Sequence, residues 1–251
     1  MPKLLVRNVP PERLEVCFHL TKTIESGFQN GSIVPSGEWT CVSNQIDSPS
    51  VLGAWAPFSS GEALRDSIAL LNLPGIVDAA AGNLREKVDQ FCRMLSSSPD
   101  YVEHKGKHVV VGGGFSRSTT IHPVSRQFVG LHIDSFERRR VAELRQAKNR
   151  LCVNLGPHSR WFLFSSVDTS EAAAACGLTG SEVLSTSHFR EYAFGKKIPI
   201  FRLRMDPGHA YIAPTERLLH DGQAENNERN WLYTVMGHFD RTTEAQEFSV
   251  M

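Results

Sequence analysis

The sequence predicts a mainly β protein with flanking helices, and three observations carry that expectation. From residue 108 onward, short apolar runs recur at 109–111, 151–155, 161–166, 198–205, 209–213 and 231–239. Gly, Pro, Asp and Asn punctuate them, and about eight short strands separated this way suggest a sandwich or barrel. Helical periodicity is confined to 59–73 and 83–95, before the β-rich part, and to an Ala-rich insertion at 168–194.

The elements follow in chain order. Residues 3–8 form a short strand ended by Pro10-Pro11, and Leu14, Val16, Phe18 and Leu20 then alternate with polar neighbours at the period of two expected for a half-buried strand. Residues 27–60, rich in Gly, Pro, Ser and Asn, are irregular, with a strand at 39–42. A serine cap at Ser59-Ser60 opens a helix carrying Ala63, Ile68, Leu70 and Leu71 as far as Leu73. Asn83 caps a second, with Leu84, Val88, Phe91, Cys92 and Leu95 on one buried face. His104 and His108 stand at i and i+4, but the intervening Gly106 and the following β-branched run favour a hairpin over a helix. Strands follow at 118–121 and 132–134, then a charged helix or lid at 137–150 whose five arginines read as a solvated face. The insertion at 168–194 is helical and capped near Ser181-Glu182, Asp206-Pro207-Gly208 is a turn, and the segment 218–222 ends in a turn at Gly222.

At 251 residues the chain suits one domain: an N-terminal elaboration over 1–107 with helices packed on a sheet, and a β core over 108–240. Lys+Arg and Asp+Glu both number 27, which removes the electrostatic footprint of a nucleic-acid or polybasic membrane binder. The expected partner is a small molecule, with no nucleic acid and no membrane; self-association into a homo-oligomer stays open. Five dispersed cysteines without a C-x-x-C pair fit reduced thiols, and residues 1–8 are too poor in apolar side chains for a signal peptide. The expected compartment is the cytoplasm.

The chemistry centres on His132-Ile133-Asp134. In a strand, residues i and i+2 share a face, so a nitrogen donor and a carboxylate project together. A second histidine from a distant strand completes a 2-His-1-carboxylate set, which leaves one face of an octahedral ion open. His220, His209 and His238 compete for that place. His220 is preferred because Arg229 follows it at the head of the final strand, where a guanidinium can bind a carboxylate through two parallel hydrogen bonds.

These residues resemble the double-stranded β-helix (jelly-roll, cupin-like) Fe(II)/2-oxoglutarate-dependent oxygenases. More narrowly, Asn149-Arg150-Leu151-Cys152-Val153-Asn154-Leu155-Gly156, Arg160-Trp161-Phe162-Leu163-Phe164, and Pro207-Gly208-His209-Ala210-Tyr211-Ile212-Ala213-Pro214-Thr215-Glu216 before His220-Asp221-Gly222 are similar to the small bacterial amino-acid hydroxylases and radical halogenases of that group. The resemblance covers 108–240. It implies that His132, Asp134 and His220 hold Fe(II), with 2-oxoglutarate and O2 as co-substrates. It also implies that Arg229 pairs the far carboxylate of 2-oxoglutarate, with Arg160, Arg204 and Arg241 as alternatives. The implied reaction is hydroxylation of an unactivated C–H of a small polar metabolite, an amino acid or derivative in a biosynthetic pathway. Asp134 fills the position that halogenases leave to chloride, so hydroxylation is favoured, with desaturation and ring formation still open. An oxygenase acting on nucleic acid or protein, and a non-catalytic metal-binding jelly roll, are the competing functions.

Overall fold

The computed structural model describes residues 5–7, 9–42, 67–73, 75–77, 86–90, 92–93, 103–111, 117–134, 138–224 and 229–239. Its strands are β1 (Leu5–Arg7), β2 (Leu14–Cys17), β3 (Leu20–Lys22), β4 (Ile33–Pro35), β5 (Thr40–Cys41), β6 (Ser67–Asn72), β7 (Glu103–Val111), β8 (Asn149–Asn154), β9 (Arg160–Asp168), β10 (Ile200–Met205), β11 (His209–Ala213), β12 (Leu218–Ala224) and β13 (Arg229–Gly237). Two α-helices, α1 (Thr169–Ala175) and α2 (Thr186–Lys196), lie between β9 and β10.

A six-stranded sheet runs β1-β6-β11-β8-β13-β7, and a five-stranded sheet runs β12-β9-β10-β2-β5. The pairing of the last eight segments is nested. β7 pairs with β13, the His132 segment bridges β12 at His220, β8 pairs with β11, and β9 pairs with β10, all antiparallel. First goes with last and the middle two with each other, while successive pairs alternate between the sheets. That is a long hairpin rolled into two facing sheets, the double-stranded β-helix or jelly roll. β1 and β6 extend the larger sheet beyond β11, and β2 and β5 extend the smaller one beyond β10.

Burial follows from that layering. Between the sheets, Leu14, Val16, Phe162, Phe164, Phe201, Leu203 and Tyr211 interdigitate, with Phe162 stacked on Tyr211 at 3.9 Å between ring centroids. The outer face of the larger sheet, with Leu71, Leu151, Val153 and Ile212, is covered by helical residues 86–90 and 92–93 through Val88 and Cys92. The outer face of the smaller sheet, with Trp161, Leu163, Ile200 and Leu219, is covered by α1 and α2 through Ala172, Ala173, Phe189 and Ala193. Expectations for a helix at 83–95, for the insertion and for the strands at 151–155, 161–166, 198–205 and 231–239 are met within one to three residues, as far as the described residues reach.

Five expectations are corrected. The stretch expected to end a helix at Leu73 is strand β6, and 59–66 lies outside the described residues. Ile68 and Leu70 face the inter-sheet core while Ala69 and Leu71 face the outer layer. A strand buried on both faces shows no alternation, so its apolar run is indistinguishable from a helical one by periodicity. Residues 118–121 and 132–134 form isolated bridges instead of strands. The cap of α2 is Ser185, whose hydroxyl accepts from His188 N at 3.2 Å. β12 runs through Gly222 to Ala224 instead of turning there. The arginine-rich stretch is a 3-10 helix at Val141–Gln146, and Arg150 belongs to β8 with its side chain turned inward. The helix-covered N-terminal elaboration thus contributes strands as well as helical cover.

Candidate metal centre

Strand alternation sends Leu131 and Ile133 outward beneath α2 and leaves His132 and Asp134 facing the space between the sheets. His132 and His220 exchange both backbone hydrogen bonds, His132 N to His220 O at 2.9 Å and His220 N to His132 O at 2.8 Å. This pairing sets the two imidazoles side by side, with centroids 4.5 Å apart and planes tilted by 45°. His132 Nε2 is 3.9 Å from Asp134 Oδ1, and His220 Nε2 is 3.7 Å from Asp134 Oδ2. One donor atom from each of the three residues lies within 4.8 Å of the others.

Both imidazoles are fixed in orientation by the backbone. His132 Nδ1 donates to Gly130 O at 2.8 Å and His220 Nδ1 donates to Leu218 O at 2.9 Å, which turns each Nε2 toward the centre. His220 Nε2 is buried and has no hydrogen-bond partner among the described residues. Burial pulls the His220 imidazole down to about 3, so it is neutral, the form that binds metal. Burial alone would push the Asp134 carboxyl up, but Arg150 and the two histidines outweigh it and hold it at about 2. Two aimed imidazole nitrogens, one charged carboxylate and an orphaned Nε2 fit a divalent first-row ion, which takes such donors at about 2 Å.

The segment bearing His132 and Asp134 is strapped in place by its neighbours. Arg190 on α2 donates from Nε to Leu131 O at 2.6 Å and from Nη2 to Val129 O, bracketing the carbonyl of Gly130 that orients His132. Gly130 has φ +72, and a Cβ there would lie 2.7 Å from Ile33 O, so the close approach of β4 needs glycine. Leu131 N donates to Ile33 O at 3.0 Å and Asp134 N to Thr215 O at 3.0 Å. None of this was visible in the sequence, because each contact joins residues remote along the chain.

Two arginines complete the interior. Arg150 Nη2 is 2.6 Å from Asp134 Oδ2, so this guanidinium is an ion-pair partner of the triad and not part of a solvated face. Arg160, at the start of β9, is buried, with Nε and Nη1 lacking hydrogen-bond partners among the described residues. It reaches over Gly222, where any Cβ would fall on its guanidinium and on the Thr119 hydroxyl. Gly222 lies two residues beyond His220 on the same face of β12, about 7 Å along the strand. Arg229 opens β13 opposite Val111, and its side chain, like all of Arg241, lies outside the described residues. Arg204 is half-exposed and bonded to Asp206 and Ser159. His209 contacts Arg13 and the backbone of Asp206, and among the described residues the metal-competent group is His132, Asp134 and His220.

No family model and no curated protein matches this chain. Among solved structures, it is similar to the Kdo hydroxylase KdoO, a non-haem Fe(II) α-ketoglutarate-dependent dioxygenase in complex with succinate and Fe(III), at 14% identity and a TM-score of 0.38, covering 68% of this chain and 79% of that one. It is also similar to the Escherichia coli ribosomal oxygenase YcfD, at 14% identity and a TM-score of 0.28, covering 94% of this chain and 42% of that one.

Proposed function

We propose that the protein is an Fe(II)/2-oxoglutarate-dependent dioxygenase that hydroxylates an unactivated C–H of a small polar metabolite, an amino acid or derivative. The observation that carries this is the buried triad of His132, Asp134 and His220 with both Nε2 atoms aimed inward and one of them orphaned. When bound, ferrous iron with 2-oxoglutarate and dioxygen supplies the oxidation: one oxygen atom goes into succinate as CO2 is lost, and the other into the hydroxyl of the product.

The side chains divide the remaining work. His132, Asp134 and His220 hold the ion on one face and leave the opposite face to ligands. Arg160 anchors the far carboxylate of 2-oxoglutarate, because its buried, unsatisfied guanidinium nitrogens await an acceptor at a distance from His220 that a five-carbon chain spans. Arg229 is the competing anchor. Phe162, stacked on Tyr211 and 6.0 Å from the His220 ring, lines the wall between triad and anchor with apolar surface that excludes water.

Purified protein supplied with Fe(II), 2-oxoglutarate and a panel of amino acids is expected to release succinate, and His220→Ala to release none. Succinate release that survives in His220→Ala, or its absence with every substrate together with no 2-oxoglutarate binding, would overturn the proposal. Arg160→Met is expected to raise the KM for 2-oxoglutarate at least about tenfold, the scale of a lost charged hydrogen-bond pair. The same effect in Arg229→Met with Arg160→Met unchanged would move the anchor to Arg229.

A further inference from the structure

Arg150 stands where no metal-binding scheme requires a cation. It comes from β8, shares the inward face with Cys152 and Asn154, and places Nη2 2.6 Å from Asp134 Oδ2. The side chains of both partners are largely withdrawn from solvent, at 20% and 7% exposure. The other carboxylate oxygen, Oδ1, faces His132. Oδ2 also lies 3.7 Å from His220 Nε2, so both oxygens face the centre; Arg150 therefore restrains the carboxylate as a whole, and it places a positive charge within a few ångströms of an ion held there.

These two effects oppose each other. The donor set holds one carboxylate, and Arg150 cancels its charge; Arg160 adds a second buried cation farther along the inner face. An ion entering alone meets two guanidinium groups and a neutralised carboxylate in a low-dielectric interior, where unbalanced charge is costly. A dicarboxylate entering with it offsets most of that excess positive charge. Coupling of this kind is reciprocal: whatever factor the dianion adds to metal affinity, the metal adds to the affinity for the dianion.

We propose that Arg150 is a positioning residue that makes metal retention at His132, Asp134 and His220 depend on a bound dicarboxylate, an inference that rests on the proposed oxygenase function. The protein would then hold its ion poorly until a dicarboxylate is present.

The test is calorimetric titration of Mn(II), with and without 2-oxoglutarate, into wild type, Arg150→Met, Arg150→Lys and His132→Ala. In wild type, 2-oxoglutarate is expected to tighten Mn(II) binding by at least about tenfold, within the usual range of coupling between sites. Arg150→Met is expected to bind Mn(II) alone more tightly than wild type and to lose most of the enhancement. Arg150→Lys keeps the charge and is expected to keep the enhancement. If circular dichroism shows Arg150→Met unfolded, Arg150→Gln takes its place with the same expectation. Wild-type enhancement in the neutral variant, or its loss in Arg150→Lys as well, would overturn the role of Arg150 while leaving the triad intact. No Mn(II) binding in wild type even with 2-oxoglutarate present, or undiminished binding in His132→Ala, would instead overturn the oxygenase function on which it rests.

Discussion

The two histidine-bearing segments of the centre are built in different ways. His220 lies within β12, which is hydrogen-bonded to β9 on one side along most of its length and sits beneath the Leu219 contacts with the α1–α2 layer. His132 and Asp134 lie on a segment with a single bridge to that strand, held by Arg190, by the glycine turn at Gly130 and by the carbonyls of Ile33 and Thr215. A ligand in a regular strand inherits its position from the sheet. A ligand on a strapped segment depends on a few side chains, so the two halves of the site are expected to fail by different routes.

The largest expected effect does not distinguish the halves. His132→Ala and His220→Ala each remove a donor, and each should weaken metal binding by more than the roughly hundredfold that loss of an outer-shell partner causes, as read by equilibrium dialysis. Gly130→Ala comes next and does distinguish them. It forces a Cβ against Ile33 O at positive φ, and about 1–3 kcal/mol of stability should be lost in chemical denaturation, together with metal affinity. A Gly130→Ala protein with wild-type stability would show that the turn is not held as described.

Arg190→Met leaves the buried carbonyl of Leu131 and the half-buried one of Val129 without their charged donor, at a cost of about 2 kcal/mol. Its metal affinity should fall through misplacement of His132, while the His220 side keeps its geometry. An NMR perturbation centred on the His220 ring instead of His132 would reverse that assignment.

Acid sensitivity between about pH 6.5 and 4 comes from the His220 half, with Asp134 adding to it only at lower pH. Its imidazole titrates near 6.5 when unfolded and about 3 when folded, so between those values the unfolded chain binds the extra proton. The metal-free protein should therefore lose stability as pH falls from about 6.5 toward 3, by up to about 1.4 kcal/mol per pH unit from this group. His220→Gln should flatten that slope, and an unchanged slope would contradict the neutral buried imidazole. The smallest effect is Ser185→Ala, which removes the cap of α2 and should cost about 1 kcal/mol without changing metal affinity.

The same contrast explains what the sequence could reveal. His132 and Asp134 were legible because their relation is local: two residues apart on an extended segment, they share a face whatever the rest of the chain does. The strands from β8 to β13 were legible from apolar runs bounded by turns. β6 was not, because a strand with both faces buried carries no alternation for its period to reveal. Arg150 reads as surface in the sequence because a cation amid other arginines ordinarily is, and only the rolling of β8 beneath the His132 segment brings it to Asp134. Arg160 does not stand out in the sequence from Arg204, Arg229 and Arg241, because only the fold brings Gly222 beneath its guanidinium.

The proposed oxidation requires His132, Asp134 and His220 together to hold the ion that acts with 2-oxoglutarate. Anaerobic Fe(II) equilibrium dialysis in the presence of 2-oxoglutarate tests it most directly. One equivalent of iron retained by wild type, and none by His132→Ala, Asp134→Ala or His220→Ala variants that circular dichroism shows to be folded, is the result expected. Iron retained equally by all four proteins, or by none of them, would contradict it.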